Sequence, residues 1–202
     1  MLSFLLIGFT VVVSFAAFQQ PEWFDRLCGW PFRTNHYKEW WRLISGGFIH
    51  ADVPHLFFNM VSFYFFGRVV EIYFTIYLPK IGAVGFVLFY LIAIVVANIP
   101  DMITHRDNYG YRSVGASGGV AAVLFASIIF DPWNRIGFFI PDLELPGIFF
   151  APLYLALSFY MAKRGTDNIG HVAHITGAVF GFVFPLLIKP SLFNRFVELL
   201  FS

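Results

Sequence analysis

Charged side chains are scarce in this chain: they make up 12% of its 202 residues, and thirteen basic groups nearly cancel twelve acidic ones. That excludes a nucleic-acid partner, because no basic stretch stands out to meet a phosphate backbone. Cysteine is scarcer still. The single Cys28 cannot form an internal disulfide, and the ordinary role of such a residue is an apolar filler. Basic residues are missing ahead of the first apolar run, Leu5 to Phe18, although Ser14, Ala16 and Ala17 near its end resemble a cleavage site. Without a basic leader the run is expected to be a retained membrane span and not a signal peptide. What the chain has in abundance is apolar: 58% of its residues are hydrophobic and the mean hydropathy is +0.73. A soluble domain does not tolerate that composition, so the chain is expected to lie in a lipid bilayer.

Apolar runs separated by charged and Pro/Gly-rich breaks predict an all-α polytopic membrane protein. The six expected spans are residues 3–18, 54–76, 81–99, 114–130, 147–162 and 169–188, which form a single domain over residues 1–202. The first connection is long and mixes Trp23, Trp30, Pro31, Phe32, Tyr37, Trp40 and Trp41 with Arg26, Arg33, Lys38 and Arg42. Aromatic and basic groups together suit the headgroup level, so this loop is expected to be membrane-associated. With six spans, the second, fourth and sixth run the same way. Polar groups in their first turns then meet in one leaflet, within reach of water from one side.

Nucleophilic or ionisable side chains inside a span are costly, which makes each a functional candidate. Gly115-Ala116-Ser117-Gly118 places a hydroxyl at the start of span four, where unpaired backbone N–H groups and the helix dipole favour a developing negative charge. Taken alone, such a string is common, and a capping or packing serine is its more ordinary reading. In span six, His174, Gly177 and Gly181 recur at helical spacing, so the histidine and the glycines share a face. Span four offers a matching strip in Gly118, Ala122 and Ala126. Small residues let helices approach closely. Spans four and six are therefore expected to pack together and bring Ser117 to His174, a histidine base beside a serine nucleophile. A third set is His50, His55 and Asn59, of which His55 and Asn59 open span two just after the helix-start signal Asp52-Val53-Pro54. His55 and Asn59 face the same way and both carry donors, as the side-chain half of an oxyanion hole requires. A metal site built from His50, His55, His171 and His174 stays open beside this reading. The carboxylate that such sites often add is missing apart from Glu71, at the far end of span two.

Taken in order, these residues resemble the rhomboid family over nearly the whole chain. The likeness rests on Trp41-Arg42, His50-x4-His55-x3-Asn59, Gly67 and Glu71, Gly115-Ala116-Ser117-Gly118, and Ala173-His174-Ile175-Thr176-Gly177. It implies a compact six-helix bundle that cleaves transmembrane segments of single-span or polytopic membrane proteins by a Ser117–His174 dyad. Oxyanion contacts from His55, Asn59 and the Ser117 amide are implied as well, with no metal and no cofactor. Trp41, Arg42, Glu71, Gly115, Gly118, Gly177 and Gly181 are implied as structural positions. The chain departs from the family at Ala121, four residues after the serine, where members commonly carry Tyr or Phe against the histidine. A catalytically inactive relative that binds transmembrane clients is the alternative this departure supports.

The resemblance also implies a bacterial inner membrane, with the active site opening to the extracytoplasmic side. Counted that way, five basic residues lie inside (Arg68, Lys80, Arg135, Lys189 and Arg195). Eight lie outside (Arg26, Arg33, Lys38, Arg42, Arg106, Arg112, Lys163 and Arg164), which reverses the positive-inside tendency.

Overall fold

The computed structural model describes residues 1–137, 144–164 and 170–202. Helices occupy the position of every expected span: α1 (Leu2–Gln19), α5 (Val53–Tyr77), α6 (Gly82–Thr104), α7 (Ser117–Phe130), α8 (Gly147–Arg164) and α9 (His171–Ile188). Residue 169, the expected start of the last span, lies outside the described residues. Three of these helices, α1, α6 and α9, are long and apolar enough to cross a membrane by length and composition, and α7 is a shorter apolar helix. The first connection is not an open loop. It folds into three short helices, α2 (Pro21–Leu27), α3 (Pro31–Tyr37) and α4 (Arg42–Ser45), followed by a 3-10 turn over Gly46–Phe48. Prolines at the first positions of α2 and α3 fix their starts, where a missing N–H costs nothing. A two-stranded antiparallel ribbon, β1 (Arg135–Gly137) with β2 (Glu144–Pro146), precedes α8, and α10 (Ser191–Phe201) follows α9.

The bundle is organised around α7, in which every residue from Gly118 to Phe130 is buried. Its apolar side chains, with Phe63, Phe74, Phe86, Phe89 and Tyr90 from α5 and α6, form the main core. At one end, Lys189 donates to the carbonyl of Tyr77, the last residue of α5, at 3.0 Å. Arg195 on α10 donates to the carbonyl of Phe130, the last residue of α7. The C-terminal ends of α5, α7 and α9 are thus gathered on one side, and two cations satisfy carbonyls that a helix end leaves unpaired.

At the same end, Glu71 accepts the backbone N–H groups of Leu2 (2.7 Å) and Ser3 (2.9 Å), and so ties α5 to the start of α1. The carboxylate is buried. Glu71→Gln keeps the size but replaces one acceptor by a donor facing a donor. The variant is expected to lose about 1–3 kcal/mol of stability, the usual cost of an unsatisfied buried group. Thermal unfolding in detergent measures it, and an unshifted transition would show that the two N–H groups have other acceptors.

The loop helices are held by buried polar groups. Arg42, 3% exposed, donates to the carbonyls of Asp25 (2.7 Å) and Cys28 (3.0 Å) and pairs with Glu39, which also receives Arg33 at 2.9 Å. The Arg112 guanidinium lies 3.0 Å over the Trp30 ring, and Arg33 and Arg42 approach the same ring. Hydrogen bonding by Arg33, then by Arg42, holds the Glu39 carboxyl below its usual range against the opposing cost of burial. A depressed carboxyl contributes stability above the unfolded-state value, and that contribution is lost as pH falls through the lower folded value. Acidification below about pH 4 is therefore expected to lower the melting temperature of the native chain more steeply than that of Glu39→Gln. Parallel curves would contradict this.

Candidate active site

The segment that leads into α7 is fixed from the first loop. Gly29 and Ser113 exchange two backbone hydrogen bonds at 2.8 Å, and the Gly115 N–H donates to the Gly46 carbonyl at 2.9 Å. Gly115 has φ +113°, a conformation that an L side chain rarely adopts, and a Cβ there would lie 2.5 Å from the His55 ring. Glycine is needed twice over at this turn: for the backbone angle, and for the imidazole that rests on it. The chain then enters α7 with Ser117 as the first helical residue, so its N–H belongs to the unpaired first turn.

His50 locks this turn from below. The Ala116 N–H donates to His50 Nε2 at 3.3 Å, and Ser14 Oγ lies 3.0 Å from His50 Nδ1 and donates to the Phe48 carbonyl at 3.1 Å. A backbone N–H can only donate, so Nε2 carries the lone pair and the neutral ring bears its proton on Nδ1, which donates to Ser14. Burial, and then the neighbouring His55 ring, push His50 well below the ordinary histidine value, in keeping with a permanently neutral imidazole. The His50 and His55 rings meet edge to face at 5.0 Å. Asn59, one turn along α5, is buried and uses one N–H of its amide on the His55 carbonyl at 3.0 Å.

α7 and α9 meet backbone to backbone. A Cβ on Gly177 would fall 2.0 Å from the Gly118 carbonyl oxygen, and one on Gly181 would fall 2.0 Å from that of Ala122. Gly118 in turn faces Ala97 and the Ala173 carbonyl, where an added Cβ would lie 2.5 and 3.2 Å away. The two contacts advance together by four residues, 118 with 177 and 122 with 181, so the helices run parallel. Their first turns, with Ser117 on one and His174 on the other, lie at the same end. Both residues are half-buried, as is His55. The end that carries Lys189 and Arg195 is the opposite one.

Of the other residues singled out in the sequence, Glu71 sits at that far end and Arg42 inside the first loop. Trp41 is 53% exposed, and the Arg42 guanidinium lies 6.0 Å from its ring. His171 meets His174 edge to face at 5.8 Å. Among the described residues, no group of three or more His, Cys, Asp or Glu side chains is gathered so as to hold a metal ion. Sequence reasoning missed Tyr154 on α8, whose ring centroid lies 6.4 Å from that of His174 at a 30° tilt. It also missed Ser14, the buried partner of His50. Each is brought in by a distant helix with no local pattern to announce it.

Fold and site together define a helical integral membrane protein with a serine at a helix start, a histidine on the helix packed against it, and a glycine turn under two further histidines. The chain belongs to the rhomboid family: the Rhomboid domain matches residues 37–191. It is similar to the rhomboid protease GlpG of Haemophilus influenzae, with 30% identity over 161 residues that cover 78% of this chain and 74% of that protein. The putative rhomboid protease YdcA of Bacillus subtilis is 30% identical over 167 residues, 82% of this chain and 75% of that one. RHOMBOID-like protein 12, mitochondrial, of Arabidopsis thaliana is 32% identical over 146 residues, 67% of this chain. The match spans 43% of that plant relative's length.

Proposed function

We propose that this protein is a serine-type intramembrane endopeptidase that cleaves transmembrane segments of other membrane proteins, with Ser117 as nucleophile and His174 as general base. The observation that carries this reading is the parallel, backbone-to-backbone contact of α7 and α9 at Gly118 and Gly177, which brings the serine-bearing and histidine-bearing first turns to one end. His174 takes the hydroxyl proton as Ser117 Oγ attacks the substrate carbonyl. The resulting oxyanion is met by the Ser117 N–H and by donors from His55 and Asn59, in a setting where fixed dipoles act without reorganisation. The amine leaves with the proton, and water then hydrolyses the acyl-enzyme.

A helix hides its carbonyls in its own hydrogen bonds, so the substrate must unwind locally, and small or helix-destabilising residues are expected near the cut. Entry is sideways, between α5 and α8. All six apolar helices cross the bilayer in this reading, and the site opens to the extracytoplasmic side of a bacterial inner membrane. The excess of basic residues on that side does not weigh against this orientation as a bare count suggests. Arg33 and Arg42 are bound to Glu39, and Arg112 lies on Trp30, so three of the eight serve the loop's own structure.

The test is purified protein incubated with a single-span substrate, with and without a chelator, and separately with a phosphonylating serine reagent followed by peptide mass mapping. Cleavage that ignores the chelator and an adduct on Ser117 are expected. Chelator-sensitive cleavage, or an adduct on another residue that abolishes cleavage, would sink the reading; no cleavage of any substrate would favour the inactive, client-binding relative.

A further inference from the structure

α7 presents Ser117, Ala121 and Phe125 at four-residue intervals, one stripe of a single helix face. Ala121 is 4% exposed, so the space over its methyl group is filled, and it is filled from outside α7. The Tyr154 ring on α8 lies 5.5 Å from the Phe125 ring at the far end of the stripe and 6.4 Å from the His174 ring beside its near end. The two rings are tilted by 30°, and their separation lies within the outer range of favourable aromatic pairs. Phe150, one turn earlier on α8, stacks on the Tyr154 ring at 5.5 Å and 30°. Tyr154 thus packs against both Phe125 and Phe150, and these contacts restrain its ring. Spans four, five and six contain no Asp or Glu, so the helices around the pair supply rings and not carboxylates.

We propose that Tyr154 is the positioning residue for His174: its flat face limits rotation of the imidazole about χ2 and keeps the basic nitrogen aimed at the Ser117 hydroxyl. The ring acts through its face and not through its hydroxyl. It is carried by α8, whose buried described residues are only Gly147, Phe150 and Ser158, in contrast to the fully enclosed α7. This inference rests on the Ser117–His174 reading and names a residue that keeps the base in register.

The experiment compares Tyr154→Phe, which keeps the face, with Tyr154→Leu, which keeps apolar bulk but loses it. Steady-state cleavage of the single-span substrate is measured per folded enzyme, beside Ser117→Ala. Phenylalanine is expected to leave kcat within about twofold, whereas leucine lowers kcat about 10- to 100-fold with KM unchanged, the scale of a misaimed catalytic group. Leucine retaining the native kcat, both variants falling together, or a loss confined to KM would overturn the proposal. Tyr154→Met, another flexible side chain of comparable bulk, is read by the same split if leucine lowers the yield of folded protein. Cleavage by Ser117→Ala at the native rate would instead bring down the dyad itself, so the two failures are told apart.

Discussion

Ser117→Ala, His174→Ala and the double variant are expected to lose the same amount of activity, each about 10⁴-fold or more in kcat. The equality matters more than the size. A histidine with no hydroxyl to deprotonate contributes nothing to the chemical step, and a serine with no base attacks only through its scarce alkoxide, so either loss disables both. What remains in all three is the shared binding and oxyanion environment, from the Ser117 N–H, which alanine preserves, and from His55 and Asn59. The rates come from single-turnover cleavage of a purified substrate. Losses that multiply in the double variant would mean that the two residues act independently. All three are expected to fold, because both side chains are half-buried at the mouth of the bundle and neither lies in the α7–α9 seam.

The seam itself tolerates far less. Gly181→Ala is expected to destabilise the protein by at least about 3 kcal/mol and to abolish cleavage. The added methyl would lie 2.0 Å from the Ala122 carbonyl oxygen and 2.5 Å from its carbonyl carbon and Cα. These are backbone atoms in the middle of an enclosed helix and cannot swing aside as the end of a long side chain does. α9 must move bodily, and His174 moves with it. Gly177→Ala meets the Gly118 carbonyl oxygen at the same 2.0 Å and is expected to behave alike. Gly8→Ala is the control. On α1 nothing lies within 4 Å of the added methyl, and alanine is the better helix former, so a change within about 1 kcal/mol, in the stabilising direction, is expected. Thermal unfolding in detergent separates the cases, and a Gly181→Ala transition as high as the native one would mean that the helices pack less closely than described.

How much of this was legible beforehand follows from the kind of signal each feature sends. Apolar runs bounded by breaks are local, and the helices fall where the runs do. The exceptions are physical: α6 runs through Pro100 to Thr104 instead of stopping at 99, because the chain there continues its helix outside the apolar segment. α7 starts at Ser117 and not at 114, because Gly115 must turn. The seam was legible because small residues at four-residue spacing occur on both partners, and two complementary local patterns imply a pairing. His55 and Asn59 were legible for a similar reason, as polar residues spaced to share one face.

The first loop's own helices were not legible. Their stability comes from Arg42 reaching the carbonyls of Asp25 and Cys28 and from Trp30 under Arg112, contacts between residues as far as 82 positions apart in the chain. Tyr154 was hidden in the same way. The sequence shows only that Ala121 is small, and only the fold brings the Tyr154 ring near those of Phe125 and His174. Nor does hydropathy announce α10: it is amphipathic, and it is fixed to the bundle by Leu192 and Phe196 in the core, by Arg195 reaching the end of α7, and by the Trp133 indole donating to the Leu199 carbonyl at 2.7 Å.

Enclosure of α7 on all sides has a consequence for depth. Its fourteen residues give a rod about 21 Å long, against a hydrocarbon layer of about 30 Å. A helix exposed to lipid would meet that shortfall by drawing the membrane thinner around itself. Walled in by its neighbours, α7 touches too little lipid to do so, and in the proposed orientation the shortfall is left to the protein itself. With the far end held by Arg195, that shortfall falls on the Ser117 side. If Ser117 is the nucleophile, as proposed, the bond it cuts lies below the headgroups, and the water the reaction needs must reach it through protein.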